Sequence, residues 1–264
     1  MFPTVTFRAR LEENLKACLG RIEAARGDRS ATLVAVTKSV DTETSLELAA
    51  LGAIDLGESR PQEFERKRKA FEEAGVEVRW HFIGHLQRNK ARGVVGHAHT
   101  LHSLDSLRLL ETVARIATEI GRAPQVFLQV KLNAEAAKGG FLPGELPSVL
   151  QRASELDLPI HGLMTMAPLV SLDDGQLSAA RDTFGRLAEL GKSLPPTAFA
   201  TGRPLYSMGM SGDFEEALAE GADLVRVGSA LFQGLPRPNA PHDQRSSLGE
   251  PKEASPRNLG EAPR

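Results

Sequence analysis

Short apolar runs recur along this chain, and most of them are followed by a stretch with helical periodicity. SLELAALG, SLRLLETVARIATEIG and DFEEALAEG are such stretches, with apolar residues three and four positions apart. Alternation of strand and helix is typical of a parallel sheet whose helices cover its faces. The eight runs begin near Ala31, Ile54, Glu77, Thr100, Ala123, Leu158, Pro204 and Asp223.

The number and spacing of these runs favour a closed barrel over an open sheet. The first five begin about 23 residues apart, and eight strand–helix units in roughly 230 residues fit a (β/α)8 barrel. VTKSVD, after the first strand, lacks the G-x-G-x-x-G pattern of a dinucleotide-binding sheet. We predict a single TIM-type barrel over residues 1–235, preceded by an extra amphipathic helix. The apolar face of that helix would carry Phe7, Leu11, Leu15, Cys18, Leu19 and Ile22.

Composition limits the possible partners. The segment 236–264 is rich in proline without apolar periodicity, so it cannot offset its ordering entropy and is predicted to be a disordered tail. A net charge of -2 gives no footprint for nucleic acid or an anionic membrane. Cys18 is the single cysteine, which excludes an internal disulfide. With no signal-peptide pattern and no bilayer-length apolar run, we expect a soluble cytoplasmic protein. No motif or exposed apolar stripe demands a partner, so we expect a monomer.

Polar residues close most of the predicted strands, at the end of the barrel where (β/α)8 active sites lie. Strand 1 leads into Thr37, Lys38 and Ser39. A lysine at a strand end is commonly a solvated residue, and that alternative stays open for Lys38. A lysine drawn into an apolar interior instead loses solvation of its ammonium group, and the neutral amine is a nucleophile for aldehydes. Schiff-base chemistry is therefore the candidate activity.

The segments after strands 7 and 8 combine small residues with hydroxyl groups. Such loops direct backbone N–H groups toward an anion, and barrel enzymes commonly bind phosphate after these two strands. The structural alternative is a tight glycine turn after which Asp213 and Glu216 cap the next helix. SMGMSGD and VGSALFQG supply Ser207, Gly209, Ser211, Gly212, Gly228 and Ser229.

Arg226 lies in strand 8, on the face that it shares with Gly228. A buried guanidinium needs an acceptor, which here is either a structural carboxylate such as Glu58 or a ligand heteroatom. His81 and His85 are four residues apart, but a strand-to-loop transition between them argues against a shared metal. No G-x-S-x-G, H-E-x-x-H or Walker sequence supports a hydrolase or a kinase.

An amine nucleophile, a phosphate site and a buried arginine together fit pyridoxal 5'-phosphate (PLP). Over residues 5–235 the sequence resembles the pyridoxal phosphate homeostasis protein family. The resemblance implies an alanine-racemase-like (β/α)8 barrel that holds PLP as an internal aldimine on Lys38. Its motifs, in order, are LVAVTKSV, LGESRPQE, WHFIGHLQRNK, HSLDS, QVKLNAEAAKGGF, GLMTMAP and SMGMSGDFEEALAEGADLVRVGSALF.

The resemblance also implies individual cofactor contacts. Lys38 matches the Schiff-base lysine, and Arg226 falls where the arginine of the family faces the pyridine nitrogen. A guanidinium there disfavours protonation of that nitrogen and weakens the cofactor as an electron sink. Ser59, His81 and Met208 complete the expected site. The expected phosphate ligands are Ser207, Gly209, Ser211, Gly228 and Ser229.

Related racemases carry a second domain with a tyrosine acid/base, whereas Tyr206, the one tyrosine here, lies in strand 7. The resemblance therefore implies a PLP carrier or buffer without established catalytic activity, which supplies PLP-dependent apo-enzymes. A weak PLP-dependent racemase or transaminase, or a Schiff-base aldolase, is the alternative. Ser59 and Arg60 stand where the family commonly has asparagine and tyrosine. Lys131 and Lys138 are candidates for a second, surface PLP site, with solvated lysines as the alternative.

Overall fold

The computed structural model describes residues 6–132, 139–168 and 174–235. Eight parallel strands form a closed barrel in chain order, and the first strand pairs directly with the last. Each strand begins within two residues of the start predicted from the sequence, so the predicted (β/α)8 barrel is confirmed. The strands are β1 (Thr32–Val36), β2 (Asp55–Glu58), β3 (Arg79–Phe82), β4 (Thr100–Leu104), β5 (Gln125–Gln129), β6 (Ile160–Met164), β7 (Leu205–Ser207) and β8 (Leu224–Val227).

Helices connect consecutive strands around the outside of the barrel. A further helix precedes the first strand. It is the predicted extra helix, which Thr6 caps by accepting a hydrogen bond from the Ala9 N–H at 3.3 Å. Leu19, which the periodicity placed on the apolar face of this helix, is exposed instead. In the described residues the helices are α1 (Phe7–Arg26), α2 (Thr42–Ala50), α3 (Pro61–Glu73), α4 (Ala91–His97), α5 (Leu107–Ile120), α6 (Leu146–Glu155), α7 (Asp174–Ser193) and α8 (Phe214–Ala219).

The strands separate two groups of apolar side chains. The larger group fills the space between the strands and the helices. Residues that alternate with it point inward and form a small cluster of Val34, Phe127, Met164 and Leu224. Because this cluster fills only part of the barrel interior, polar side chains occupy much of the rest.

None of the helices in the described part of the chain has the length and apolar character that a bilayer span requires. The predicted tail, 236–264, and Lys138 lie outside the described residues. Their assignments, and the division of the chain at residue 235, stay predictions.

Candidate functional site

Lys38 lies two residues beyond β1, in a turn at the carboxyl end of the barrel. The turn forms because the Val40 N–H donates to the Thr37 carbonyl oxygen at 3.1 Å. Val36 and Thr37 are buried, whereas Lys38 is exposed. Of the two alternatives for Lys38, the structure therefore has the exposed one, because β1 ends at Val36 and the chain turns at Thr37. An aldehyde can reach this amine from solvent.

The loops after β7 and β8 are joined through the Ser211 hydroxyl. Its Oγ accepts hydrogen bonds from the backbone N–H groups of Gly228 at 3.1 Å and Ala230 at 3.4 Å. Two N–H donors thus converge on one oxygen atom, as they would on a phosphate oxygen. Ser229 lies between these two donors and is exposed. Three of the expected phosphate ligands, Ser211, Gly228 and Ser229, are therefore close together.

Two glycines let these loops approach their neighbours. Gly209 has a φ of +88°, and a Cβ on it would lie 2.6 Å from the Ala217 Cβ. A Cβ on Gly228 would lie 3.3 Å from the Val36 carbonyl oxygen. Because β1 and β8 are neighbours in the barrel, the Gly228 loop and Lys38 lie on the same side of its mouth.

Asp213 precedes α8 but forms no side-chain cap on that helix. Its Oδ1 instead accepts from the Met210 N–H at 2.5 Å, within the loop after β7. Burial raises the pKa of Asp213, although this backbone hydrogen bond opposes the shift. The Asp213 side chain therefore closes the loop and does not cap α8, whereas the glycine-turn part of the structural alternative stays open.

Arg226 is buried inside the barrel near the carboxyl end of β8. Its Nη1 donates to Ser207 Oγ at 2.6 Å, and its Nη2 donates to the Thr165 carbonyl oxygen at 2.9 Å. The suggested structural partner, Glu58, binds Lys67 instead, so that alternative is wrong. Burial lowers the pKa of Arg226 to about 10, which still leaves the guanidinium charged near neutral pH.

Polar side chains continue from Ser207 across the barrel interior. Ser207 Oγ lies 2.7 Å from His102 Nδ1, and His102 Nε2 lies 2.9 Å from His81 Nδ1. His81 Nε2 lies 2.8 Å from Asp55 Oδ1. All four residues are buried. Both ring nitrogens of His81 are therefore engaged inside the barrel, and its expected contact with PLP stays a prediction.

The far end of this chain is an ion pair near the amino-terminal end of the barrel. Arg79 donates to Asp55 through Nε at 2.7 Å and Nη2 at 2.5 Å. Burial raises the pKa of Asp55, but the hydrogen bonds from His81 and Arg79 outweigh it and lower this pKa overall. Burial also lowers the pKa of His102 well below its usual value, so this imidazole is neutral near pH 7. Its ring stacks on Phe127 at a centroid distance of 5.2 Å.

A second buried polar group lies below Lys38. Lys67 Nζ donates to Glu58 Oε1 at 2.6 Å and to the Thr37 carbonyl oxygen at 2.7 Å. The Thr37 hydroxyl donates to the same Glu58 oxygen at 2.7 Å. Glu58 Oε2 is buried and has no hydrogen-bond partner among the described residues. This group fixes the residue that immediately precedes Lys38.

The remaining predicted residues lie around the same end of the barrel. Ser59 follows β2 and is partly buried, and Arg60 next to it is exposed. Met208 is fully buried, and its N–H donates to the Leu224 carbonyl oxygen at 3.1 Å. Lys131 follows β5 and is partly buried. Their contacts with a cofactor stay predictions.

Tyr206 and His85 point to separate surroundings. The Tyr206 hydroxyl donates to the Ala188 carbonyl oxygen of α7 at 3.2 Å, so the ring lies outside the barrel. His85 Nδ1 lies 2.8 Å from Asp105 Oδ2 at the rim. Since His81 binds Asp55 and His102 in the interior, the two histidines of WHFIGH have different partners.

The fold agrees with comparisons to known proteins. The family model for the alanine racemase N-terminal domain matches residues 8–236, which defines the class of barrel. The chain is 35% identical to the pyridoxal phosphate homeostasis protein of Aquifex aeolicus, over 84% of this chain and 93% of that protein. It is 40% identical to the protein of the same name from Synechocystis sp., over 77% and 91%. The chain belongs to the pyridoxal phosphate homeostasis protein family, as the sequence resemblance implied.

Solved structures have the same barrel fold. PipY of Synechococcus elongatus, solved with PLP bound, superposes with a TM-score of 0.72 at 34% identity, over 84% of this chain and 99% of PipY. Alanine racemase from Streptomyces coelicolor superposes with a TM-score of 0.63 at 22% identity, over 85% of this chain and 58% of the racemase. The second likeness shows the fold alone.

Proposed function

We propose that the chain binds PLP covalently, through an imine between the aldehyde and the Lys38 amine, and stores or supplies it without turning over a substrate. The observation that carries this proposal is an exposed lysine on the same side of the barrel mouth as a loop whose N–H groups converge on one oxygen atom. PLP has an aldehyde and a phosphate, and this side of the barrel offers a partner for each. PipY, which the chain resembles over nearly the whole length of PipY, was solved with PLP bound.

The chemistry of the donors fits a phosphate. The backbone N–H groups of Gly228 and Ala230 already share an oxygen acceptor in Ser211. The exposed Ser229 hydroxyl can add another donor. The nearby Asp213 carboxylate is buried and engaged by the Met210 N–H, so it does not turn a free negative charge toward the anion.

Two features favour storage over racemisation. Arg226, by its match to the family, is expected to face the pyridine nitrogen, and its charged guanidinium would keep that nitrogen unprotonated. The bound cofactor would then be a poor electron sink for carbanion chemistry. Tyr206, the one tyrosine of the chain, binds Ala188 outside the barrel and is not placed to exchange protons at the site.

An absorption spectrum of the purified protein, before and after borohydride reduction, tests the covalent assignment. We expect an imine band and, by peptide mass analysis, a reduced phosphopyridoxyl group on Lys38. Lys38→Ala should lose both, and Lys131→Ala should retain both. An adduct on Lys131 instead would contradict the assignment. If added PLP gives no band, PLP binding itself is wrong and an aldolase acting on a phosphosugar becomes the better reading of Lys38.

The absence of turnover needs a separate assay. PLP-loaded protein is expected to racemise alanine no faster than the Lys38→Ala variant. A rate above that control would assign a weak PLP-dependent enzyme.

The proposal further includes transfer of PLP to an apo-enzyme and a monomeric state. Reactivation of a PLP-free aminotransferase and light scattering of the purified chain test these two points.

A further inference from the structure

The two ends of the buried chain between Arg79 and Arg226 have fixed hydrogen-bonding roles. At one end, the Asp55 carboxylate can only accept hydrogen bonds when it is ionised, and the hydrogen bonds that lower its pKa keep it ionised near neutral pH. At the other end, the Arg226 guanidinium can only donate. The direction of each intervening bond can therefore be worked out from these ends.

Asp55 fixes the position of the first proton. His81 Nε2 must carry a proton, because its partner there is a carboxylate oxygen. If His81 is neutral, its Nδ1 is then an acceptor, and His102 Nε2 must carry the proton shared between the two rings. The neutral His102 consequently has a bare Nδ1, which accepts from the Ser207 hydroxyl. Ser207 Oγ is left with its lone pairs, and one of them accepts from Arg226.

Charge around His81 supports the neutral form. Arg79 already neutralises Asp55 with two hydrogen bonds. The other groups that face His81 are His99, with a ring centroid at 5.9 Å, and His102. The positive charge of Arg226 lies at the end of the same chain. A further cation on a ring that is 1% exposed would be poorly compensated.

We propose that Asp55, His81 and His102 are positioning residues: Asp55 and His81 orient His102, whose Nδ1 accepts the hydrogen bond of the Ser207 hydroxyl. Ser207 then presents a lone pair to Arg226 and holds the guanidinium against Thr165. This inference rests on the proposed function, in which Arg226 faces the cofactor ring. It extends that site to the amino-terminal end of the barrel, where Arg79 reaches solvent with a side chain that is 47% exposed.

The row of hydrogen bonds from Asp55 to Arg226 has one alternative arrangement in which every hydrogen bond is kept. A proton added to His81 Nδ1 makes this nitrogen a donor to His102 Nε2. His102 then carries its own proton on Nδ1 and donates to Ser207, which accepts from both neighbours. The Ser207 hydroxyl proton is thereby released from His102. A second proton on His81 would therefore change the tautomer of His102.

Long-range ¹H–¹⁵N correlation spectra of histidine-labelled protein without PLP read these tautomers directly. At about pH 8, where an exposed imidazole is neutral, we expect protons on Nε2 of both His81 and His102. In any spectrum in which His81 carries protons on both ring nitrogens, His102 should be the Nδ1–H tautomer. A His102 proton on Nδ1 at about pH 8, or no switch when His81 becomes charged, overturns the proposal. Because PLP is absent, these outcomes do not depend on the proposed function.

Matched variants test the effect on the cofactor site. His102→Phe keeps a ring against Phe127 but removes both nitrogens, whereas His102→Gln supplies an amide oxygen to accept from Ser207 and an N–H to donate to His81. We expect His102→Phe to weaken PLP binding about ten-fold, the value of one charge-assisted hydrogen bond, and to shift the pH midpoint of the imine band. His102→Gln should restore PLP affinity to within about two-fold of the parent and return the pH midpoint of the imine band to the parent value.

The exposed His97 on α4 provides the control, since His97→Gln should change neither quantity. Equal weakening by His102→Phe and His102→Gln, with an unshifted imine midpoint, would show a purely structural role and overturn the inference. If the parent protein binds no PLP while the tautomers are as derived, the proposed function fails and the proton arrangement stands.

Discussion

Lys38 and Lys67 both lie next to Thr37, yet their surroundings are opposite. Lys38 follows Thr37 in the chain and is exposed at the barrel mouth. Lys67 comes from α3 and binds the Thr37 carbonyl oxygen and Glu58, with a side chain that is 1% exposed. Burial lowers the pKa of Lys67, although the Glu58 charge opposes this shift.

The difference shows that burial alone does not make a lysine reactive toward an aldehyde. The Lys67 amine is enclosed and donates to two acceptors, so an aldehyde cannot reach it without opening the core. The Lys38 amine is accessible, and its backbone is held by the residue that Lys67 binds. Reaction with an aldehyde is therefore expected at Lys38, with Lys67 as the support of the turn that presents it.

Among the variants that test this contrast, Lys67→Met is expected to lower the free energy of unfolding most. It leaves the Glu58 carboxylate buried without its cation, and breaking a buried ion pair in this way costs about 3–5 kcal/mol. The free energy of unfolding from urea titration measures the loss. Lys69→Met on the same helix removes an exposed lysine and should cost less than about 0.5 kcal/mol. Equal losses for the two variants would contradict a structural role for Lys67.

Arg226→Ala is expected to cause the second-largest loss of stability. It removes the donor to the Thr165 carbonyl oxygen and Ser207 and opens space inside the barrel. An unsatisfied buried acceptor together with a partly collapsed cavity costs about 2–3 kcal/mol. Thermal melts of Arg226→Ala and Lys38→Ala measure the contrast between a buried and an exposed cation. Equal melting temperatures would contradict the buried-arginine argument.

The buried His102 is expected to make the stability of the barrel depend on pH. Burial lowers the pKa of His102 in the folded protein, whereas an unfolded histidine titrates near about 6.5. Below that pH the unfolded chain binds a proton that folded His102 does not. Stability that is present above about pH 6.5 is therefore lost as the pH falls, by up to about 1.4 kcal/mol per pH unit for this group.

Urea titrations of the parent and His102→Phe at about pH 7 and pH 5.5 check this sign. The parent should lose more stability between the two pH values than the variant does. The pKa values of His97, His99 and His161 are also lowered by burial, and these groups contribute in both proteins. An equal pH slope in the two proteins would remove His102 as a source of the acid sensitivity.

The sequence was informative about the elements and less so about the interior contacts. Apolar runs located all eight strands, because a fully buried strand needs a run of such residues. The position of Lys38 and the loop that contains Gly228 followed from strand order alone. Whether Lys38 is exposed could not be decided from the sequence, because the apolar run does not reveal that the last paired residue of β1 is Val36.

Contacts across the barrel were beyond sequence reasoning. Alternation in TLHSL could have placed His102 on the inner face of β4, in register with the other inward residues. It could not have paired His102 with Ser207, which is 105 positions away, because that contact depends on strand tilt and stagger. The partner of Arg226 was left open between a carboxylate such as Glu58 and a ligand atom for the same reason. Neither its actual acceptors, Ser207 and Thr165, nor the pairing of Glu58 with Lys67 of α3 is visible in the sequence.

Lys38→Ala should have the smallest effect on stability and the clearest effect on chemistry. Its side chain is exposed in a turn, so the free energy of unfolding without PLP should change by less than about 0.5 kcal/mol. Lys38→Arg keeps a positive charge but supplies no amine that can be freed of its proton. Both variants should therefore lose the borohydride adduct and leave urea unfolding unchanged. A loss as large as that for Lys67→Met would show that Lys38 is also held by the core, and the contrast between the two lysines would fail.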